Sequence, residues 1–156
     1  MRIVILGAGQ VGASVAESLA SENNDITMVD SDQDRLAYLQ DRLDIQTVHG
    51  NAAHPSVLAS AGVDDADLLI AVTQSDQTNL VACKVAHSVF NVPSRIARLR
   101  AADFVDSEKL LAPENFAVDY ALVPEKVITE YIARLVDFPE ALQVLSFAGG
   151  SVVLVG

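Results

Sequence analysis

The 156-residue sequence has one cysteine, Cys83, no tryptophan, and only five phenylalanines and three tyrosines. A single thiol cannot close an intramolecular disulfide or build a cysteine metal cluster, so a cytoplasmic setting is expected. Basic residues are scarce as well: ten Lys and Arg against 21 Asp and Glu give a formal net charge of -11. That field repels nucleic-acid phosphates and anionic membrane surfaces, and no nucleic-acid partner is expected. Long apolar runs are missing too. The longest, such as residues 68–72, have strand length and fall far short of the roughly 18 residues that span a bilayer, so no direct membrane insertion is expected. Residues 1–6 run straight into Gly7-Ala8-Gly9 without a charged leader or cleavage site, and read as a strand rather than a signal peptide.

Signatures of catalysis are also absent. His49, His54 and His87 have no acid or hydroxyl partner at a catalytic spacing. There is no Y-x-x-x-K pair, no G-x-S-x-G elbow and no His and acid cluster at metal-ligand spacing. Cys83, amid Val81, Ala82 and Val85, reads as a small buried apolar residue.

What is present is a chain 51% hydrophobic and 20% charged, the composition of a folded domain of ordinary size. Short apolar runs alternate with amphipathic segments up to about Val136, the pattern of parallel strands joined by crossover helices. The periodicity predicts strands over 3–6, 26–29, 45–48, 68–72, 95–99 and 120–123. It predicts helices over 10–20, 31–43 with Ser31 as its cap, 56–61 stopped by Gly62, 76–90, 103–111 and 125–136, the last entered through Pro124. The apolar stripe of 125–136 serves either its own sheet or another subunit. After Pro139 the pattern changes: 142–147 and 151–155 flank Ala148-Gly149-Gly150 and read as a hairpin. Residues 1–136 are thus expected to form a nucleotide-binding domain, and 137–156 a linker and the start of a truncated lobe; the apolar ending at 153–156 reads as a chain cut from a longer protein, the alternative being an edge strand supported by a partner.

Gly7-Ala8-Gly9-Gln10-Val11-Gly12 is G-x-G-x-x-G placed between the first strand and the first helix. Gly7 suits a tight turn, Gly9 the approach of backbone to a pyrophosphate, and Gly12 close packing of helix on strand; the helix N-terminus offers free N–H groups to phosphates. Asp30 lies 18 residues beyond Gly12 at the end of the second strand, where a carboxylate accepts from adenosine ribose hydroxyls. The alternative for Asp30 is a helix-entry residue whose carboxylate meets only backbone. Its charge opposes a ribose 2′-phosphate, and Ser31-Asp32 offers no adjacent arginine, so NAD is favoured over NADP. The expected class is α/β, a Rossmann-like doubly wound fold with a six-stranded parallel sheet and helices on both faces, followed by the start of a β-hairpin.

Ligands of such sheets sit beyond the carboxyl ends of the strands. The third strand delivers Asn51, which suits an adenine edge or an ordinary turn. The fourth delivers Thr73, within reach of phosphates or a nicotinamide ribose, and Asp76, which reads as a helix cap. Arg98 ends the fifth strand, where it could clamp a phosphate or serve a surface ion pair. For its neighbours Arg95 and Arg100 the ion pair is the stronger reading.

The start R-I-V-I-L-G-A-G-Q-V-G-A-S-V-A-E-S-L, Asp30, G-N-A-A-H-P, D-D-A-D-L-L-I-A-V-T-Q-S-D-Q-T-N, R-I-A-R-L-R and L-Q-V-L-S-F-A-G-G together resemble the nucleotide-binding regulatory (RCK/KTN) domains of potassium channels and transporters. Within these the chain is most similar to the N-terminal part of the NAD-binding peripheral subunits of bacterial Trk potassium-uptake systems. The resemblance implies a non-enzymatic regulator on the cytoplasmic face of a membrane-embedded Trk potassium translocation subunit, assembled as dimers within a ring. It implies contacts to NAD or NADH, with ATP or ADP possible at the same site, from Gly7, Ala8, Gly9, Gln10 and Val11, from Asp30, from Thr73 with Gln74, and from Arg98. Many relatives carry Gly-Asp where this chain has Gly50-Asn51. Rival readings are a small NAD-dependent oxidoreductase, or a cofactor domain cut from one, and a nucleotide sensor unconnected with transport.

Overall fold

The computed structural model describes residues 1–124, 129, 132, 133, 136, 144–147 and 152–155. The first unit, Met1–Leu122, begins with β1 (Arg2–Leu6), α1 (Gln10–Ala20), β2 (Asp25–Asp30), α2 (Gln33–Gln40), β3 (Gln46–His49) and α3 (Pro55–Ser60). A 3-10 turn at Val63–Asp65 leads to β4 (Leu68–Ala71), α4 (Asp76–Ser88), β5 (Ser94–Arg98), α5 (Ala102–Val105), α6 (Glu108–Leu111) and β6 (Tyr120–Leu122). The six strands form one sheet in the order β3-β2-β1-β4-β5-β6, and every pairing is parallel.

Period-two alternation in the central strands gives the sheet two buried faces. Val4 and Leu6 of β1 join Leu69 and Ala71 of β4 in a core completed by Leu58 of α3 and by Leu80, Cys83 and Ala86 of α4. Ile3 and Ile5 point the other way, with Met28 and Ile70, onto Ala16 of α1 and Leu36 and Leu39 of α2. The doubly wound class expected from the sequence is the one observed. Because β1 pairs with β2 on one side and β4 on the other, the strand order reverses between β1 and β4, and the loops after these two strands part there.

Several boundaries differ from the periodicity, two of them because a polar side chain bonds the backbone. α2 is capped by Asp32 rather than Ser31: the Asp32 carboxylate accepts from Asp34 N and Arg35 N. It ends at Gln40, and the leucine at 43 lies in the turn that follows. The single helix expected over 103–111 is two short ones, because Ser107 adopts a non-helical φ of -105° and its hydroxyl accepts from Leu110 N to start the second. α4 stops at Ser88, and the chain leaves it through Asn91 at φ 55°.

In the second unit, Val123–Gly156, helical backbone is present at Pro124, Thr129, Ile132, Ala133 and Val136. This agrees with the helix expected after Pro124; its remaining positions lie outside the described residues. β7 (Val144–Phe147) and β8 (Val152–Val155) pair antiparallel, so the expected hairpin pairing is present, while its turn at 148–150 lies outside the described residues. Among the described residues no helix is long and apolar enough to cross a membrane.

One buried cation of the first unit, paired with the exposed Asp119, holds its last strand. The Arg95 side chain, 5% exposed, donates from Nε to Ala117 O at 2.7 Å, from Nη1 to Val92 O, and from Nη2 to Asp119 Oδ1 at 2.8 Å. Asp119 also accepts from Arg95 N. Arg95 is therefore a fastener of β6 and its loop, at the amino ends of the strands and away from their carboxyl ends.

Cys83 is fully buried, and its thiol points at Ile96 O, 3.9 Å away. Burial pushes the thiol up to about 12, with Arg95 opposing by a smaller amount. The fold therefore favours the neutral thiol over the unfolded chain, where it ionises at its ordinary, lower value. That contribution to stability is complete below the unfolded value and is lost as pH rises through the folded one. A thiol reagent at pH 8 is expected to label the native chain only at the rate of unfolding; prompt stoichiometric labelling would contradict the burial.

Candidate functional site

Where the strand order reverses, the carboxyl ends of the strands enclose a cleft of about 560 Å³. Gly7, Gly9, Gln10 and Val11 of the glycine turn, Asp30, Asn51, Thr73, Gln74 and Arg98 all line it. Two residues of the expected set do not. Ala8 lies on an adjoining groove between α1 and α2, and Gly12 is buried beneath the turn.

The three glycines serve different needs. Gly7 has φ +107°, and a Cβ there would stand 2.9 Å from Thr73 N; one on Gly12 would stand 1.8 Å from Gly7 O. These two permit the β1–α1 turn to nest against the end of β4. Gly9 is different, since a Cβ there would meet nothing in the protein within 4 Å. The space it leaves belongs to the cleft. The first intrahelical bond of α1 runs from Ala13 N to Gly9 O, so the N–H groups of Gln10, Val11 and Gly12 have no partner within the helix.

Asp30 holds the turn from the other side. Its Oδ2 accepts from Ala8 N at 2.5 Å and its Oδ1 from Asp32 N at 2.8 Å. The backbone-anchoring alternative is thus realised, yet each oxygen of a carboxylate has a further lone pair, so the residue can still accept from a hydroxyl in the cleft. Asn51 similarly closes its own turn, Oδ1 accepting from Ala53 N at 2.9 Å. That leaves its amide N–H₂ as the group for a ligand.

The sequence reading missed Asn79, which is completely buried on α4. Its Oδ1 accepts from Thr73 N at 3.0 Å and Thr73 Oγ1 at 2.7 Å, while its Nδ2 donates to Arg98 O at 2.8 Å. One amide therefore ties the end of β4 to the end of β5. It also claims the Thr73 hydroxyl proton, so Thr73 presents the cleft with an oxygen already bonded inward. Ser75, not Asp76, caps α4 by accepting from Thr78 N. Asp76 instead accepts from Arg100 N and Ala101 N through Oδ2, and its Oδ1 lies 3.7 Å from Arg100 Nε. Arg100 is thereby drawn to the loop, consistent with the ion-pair reading.

Arg98 remains uncommitted: its Nε is buried and has no hydrogen-bond partner among the described residues. A buried guanidinium N–H without an acceptor is costly, and a phosphate oxygen is the acceptor a guanidinium fits best. The sequence reading also overlooked Arg35, which lines the cleft near Asp30 and Ser31. It sits five residues beyond Asp30, and the first turn of α2 returns it to the strand end. The only available signal was the helical period counted from the cap.

The arrangement thus offers a carboxylate acceptor at one end, helix N–H donors in the middle and a guanidinium at the other. This suits a nucleotide with ribose, phosphate and further anionic groups in line. A family model described as the TrkA-N domain matches residues 3–124. The Trk system potassium uptake protein TrkA of Halomonas elongata is 54% identical over 155 residues, 99% of this chain and 34% of that protein. The chain thus spans about a third of the curated relative it matches. Among solved structures, the TrkA-N domain of the Escherichia coli inner membrane protein ybaL superposes with a TM-score of 0.75 at 19% identity, covering 86% of this chain and 95% of that one. A GsuK channel bound to NAD superposes at 0.68 with 21% identity, covering 84% of this chain and 22% of that one.

The glycines give a contrast that checks this geometry. Gly12→Ala is expected to destabilise by about 2–3 kcal/mol or more, since backbone must move. Gly9→Ala should cost about 1 kcal/mol or less, as a change of N-cap residue, while placing a methyl group in the cleft. Thermal unfolding of the two variants tests the order, and equal losses would mean that Gly9 is packed like Gly12.

Proposed function

The chain belongs to the TrkA-N domain family, and from that membership we propose that it is the nucleotide-binding regulatory domain of a Trk-type potassium-uptake subunit. It takes NAD or NADH in the cleft, with ATP or ADP competing for the same place. The observation that carries this reading is the unpaired, buried Nε of Arg98 at the far end of a cleft whose near end holds Asp30. Free N–H groups of α1 lie between them. Asp30 would hold the ribose diol and Asn51 the adenine edge. Gly7, Ala8, Gly9, Gln10, Val11 and Gly12 would form the turn around the pyrophosphate, and Thr73, Gln74 and Arg98 would hold the remaining phosphate or second ribose. On this reading residues 1–136 are the nucleotide domain and 137–156 lead into a further lobe.

The role is regulatory and not catalytic. A bound nucleotide supplies only binding free energy, and it biases the assembly by the difference in its affinity for two arrangements, on a scale of about 1–3 kcal/mol. Asn79 and Asp76 are the residues through which a contact at the phosphate end reaches structure outside the cleft. They bond the ends of β4, β5 and the loop after β5 to one another. The assembly proposed is a ring of dimers, peripheral on the cytoplasmic face of the inner membrane, whose partner is the membrane-embedded Trk potassium translocation subunit.

Titration with NADH, followed by nicotinamide fluorescence, and displacement by NAD, ATP and ADP tests the site. Saturable binding is expected, with unequal displacement, and Asp30→Ala or Arg98→Ala should weaken it roughly tenfold to a hundredfold, the scale of one charged hydrogen bond. Undiminished binding by both variants would remove these residues from the site. Steady oxidation of NADH with simple aldehydes would move the chain to the oxidoreductases.

A further inference from the structure

Beside Asp30 the cleft carries a cation that is already paired. Arg35 lines both the cleft and the adjoining groove, and its Nε lies 3.2 Å from Asp32 Oδ2, with the two side chains 49% and 44% exposed. The other oxygen of Asp32 caps α2, accepting from Asp34 N and Arg35 N, each at 3.1 Å. Capping needs one oxygen and no charge, and Asn or Ser serves it as well. An ion pair this exposed adds little to folding stability. Neither the cap nor the fold therefore requires a carboxylate at position 32.

The charge has a consequence in the cleft. A free guanidinium close to a ribose-binding carboxylate would be a fork suited to a 2′-phosphate, and would undercut the exclusion that Asp30 provides. With Asp32 bonded to Arg35 Nε, and with Asp34 on the same groove, this corner holds three carboxylates, Asp30, Asp32 and Asp34, against one guanidinium. We propose that Asp32 is a specificity-determining residue: by engaging Arg35 Nε and offsetting its charge it weakens that arginine's hold on a 2′-phosphate and keeps the site selective for nucleotides with an unphosphorylated ribose. Asp32 acts through Arg35 and is a positioning residue. The inference rests on the reading of the cleft as a nucleotide site.

The test compares NADH with NADPH, titrated into the unsubstituted chain, Asp32→Asn and Asp32→Ser, with folding checked by thermal unfolding. If neither dinucleotide binds, ADP and its 2′-phosphate are compared instead. The unsubstituted chain is expected to favour the unphosphorylated member at least tenfold. Both Asp32 variants should narrow that ratio roughly threefold to tenfold by tightening the phosphorylated member, and adding Arg35→Gln should erase the gain. Equal affinities in the unsubstituted chain, a ratio unmoved by both Asp32 variants, or a gain that survives Arg35→Gln would each overturn the inference while leaving the nucleotide site standing. Failure of the unsubstituted chain to bind either pair would overturn the nucleotide reading and this inference with it.

Discussion

The close approach of the glycine turn to the end of β4 is the constraint on which the rest depends. Gly7 and Gly12 leave no room for a side chain, with backbone of Thr73 and of Gly7 itself in the way. Interiors pack too densely for such a contact to be relaxed elsewhere. Because β1 and β4 are hydrogen-bonded neighbours, the contact fixes where α1 begins and therefore where its unpaired N–H groups point. The cleft is the space left between loops that diverge from this one tight point.

A second principle runs through the loops. The acidic excess is not only a solvated surface, since several aspartates accept from backbone N–H groups across long stretches of sequence. Asp30 holds Ala8, Asp67 holds Arg2, Asp76 holds Arg100 and Ala101, and Asp119 holds Arg95. Loops at strand ends lack ladder partners, and a charged acceptor satisfies their N–H groups more strongly than a neutral one. Asn79 performs the same service in the buried interior, where an amide that both donates and accepts can join two strand ends without burying a charge. Asp30, Asp76 and Asn79 do this at the carboxyl ends of the strands, around the cleft, and Asp67 and Asp119 do it at the amino ends.

Much of this was legible in the linear pattern. Short apolar runs between amphipathic segments gave the six strands and their two-sided burial, and the glycine spacing followed by Asp30 located the cleft. The helix boundaries were less legible where a polar side chain competed with the backbone, as Asp32 does for Ser31 and Ser107 does in splitting the helix over 103–111. The apolar period carries no trace of that competition. Asn79 gave no signal at all, because a polar residue within an amphipathic helix reads as solvent-facing until the sheet is placed against it. Arg35 was overlooked because it was sought beside Asp30 in the chain, whereas the first turn of α2 brings it back to the strand end.

The sequence by itself determined the succession of elements, the parallel sheet, the glycine turn and the strand end that carries Asp30, because these follow from contacts within a few residues or from a period that burial imposes. Only the tertiary structure decided which polar groups are spent and which are free. Thr73 is bonded to Asn79 and Arg95 to Asp119, Arg35 is paired with Asp32, and Arg98 keeps a buried N–H without an acceptor. Most of these pairings join residues from different elements. Which donor finds which acceptor is set by the spacing of strands in the sheet and the seating of helices upon it, and neither is written in any local stretch of the chain.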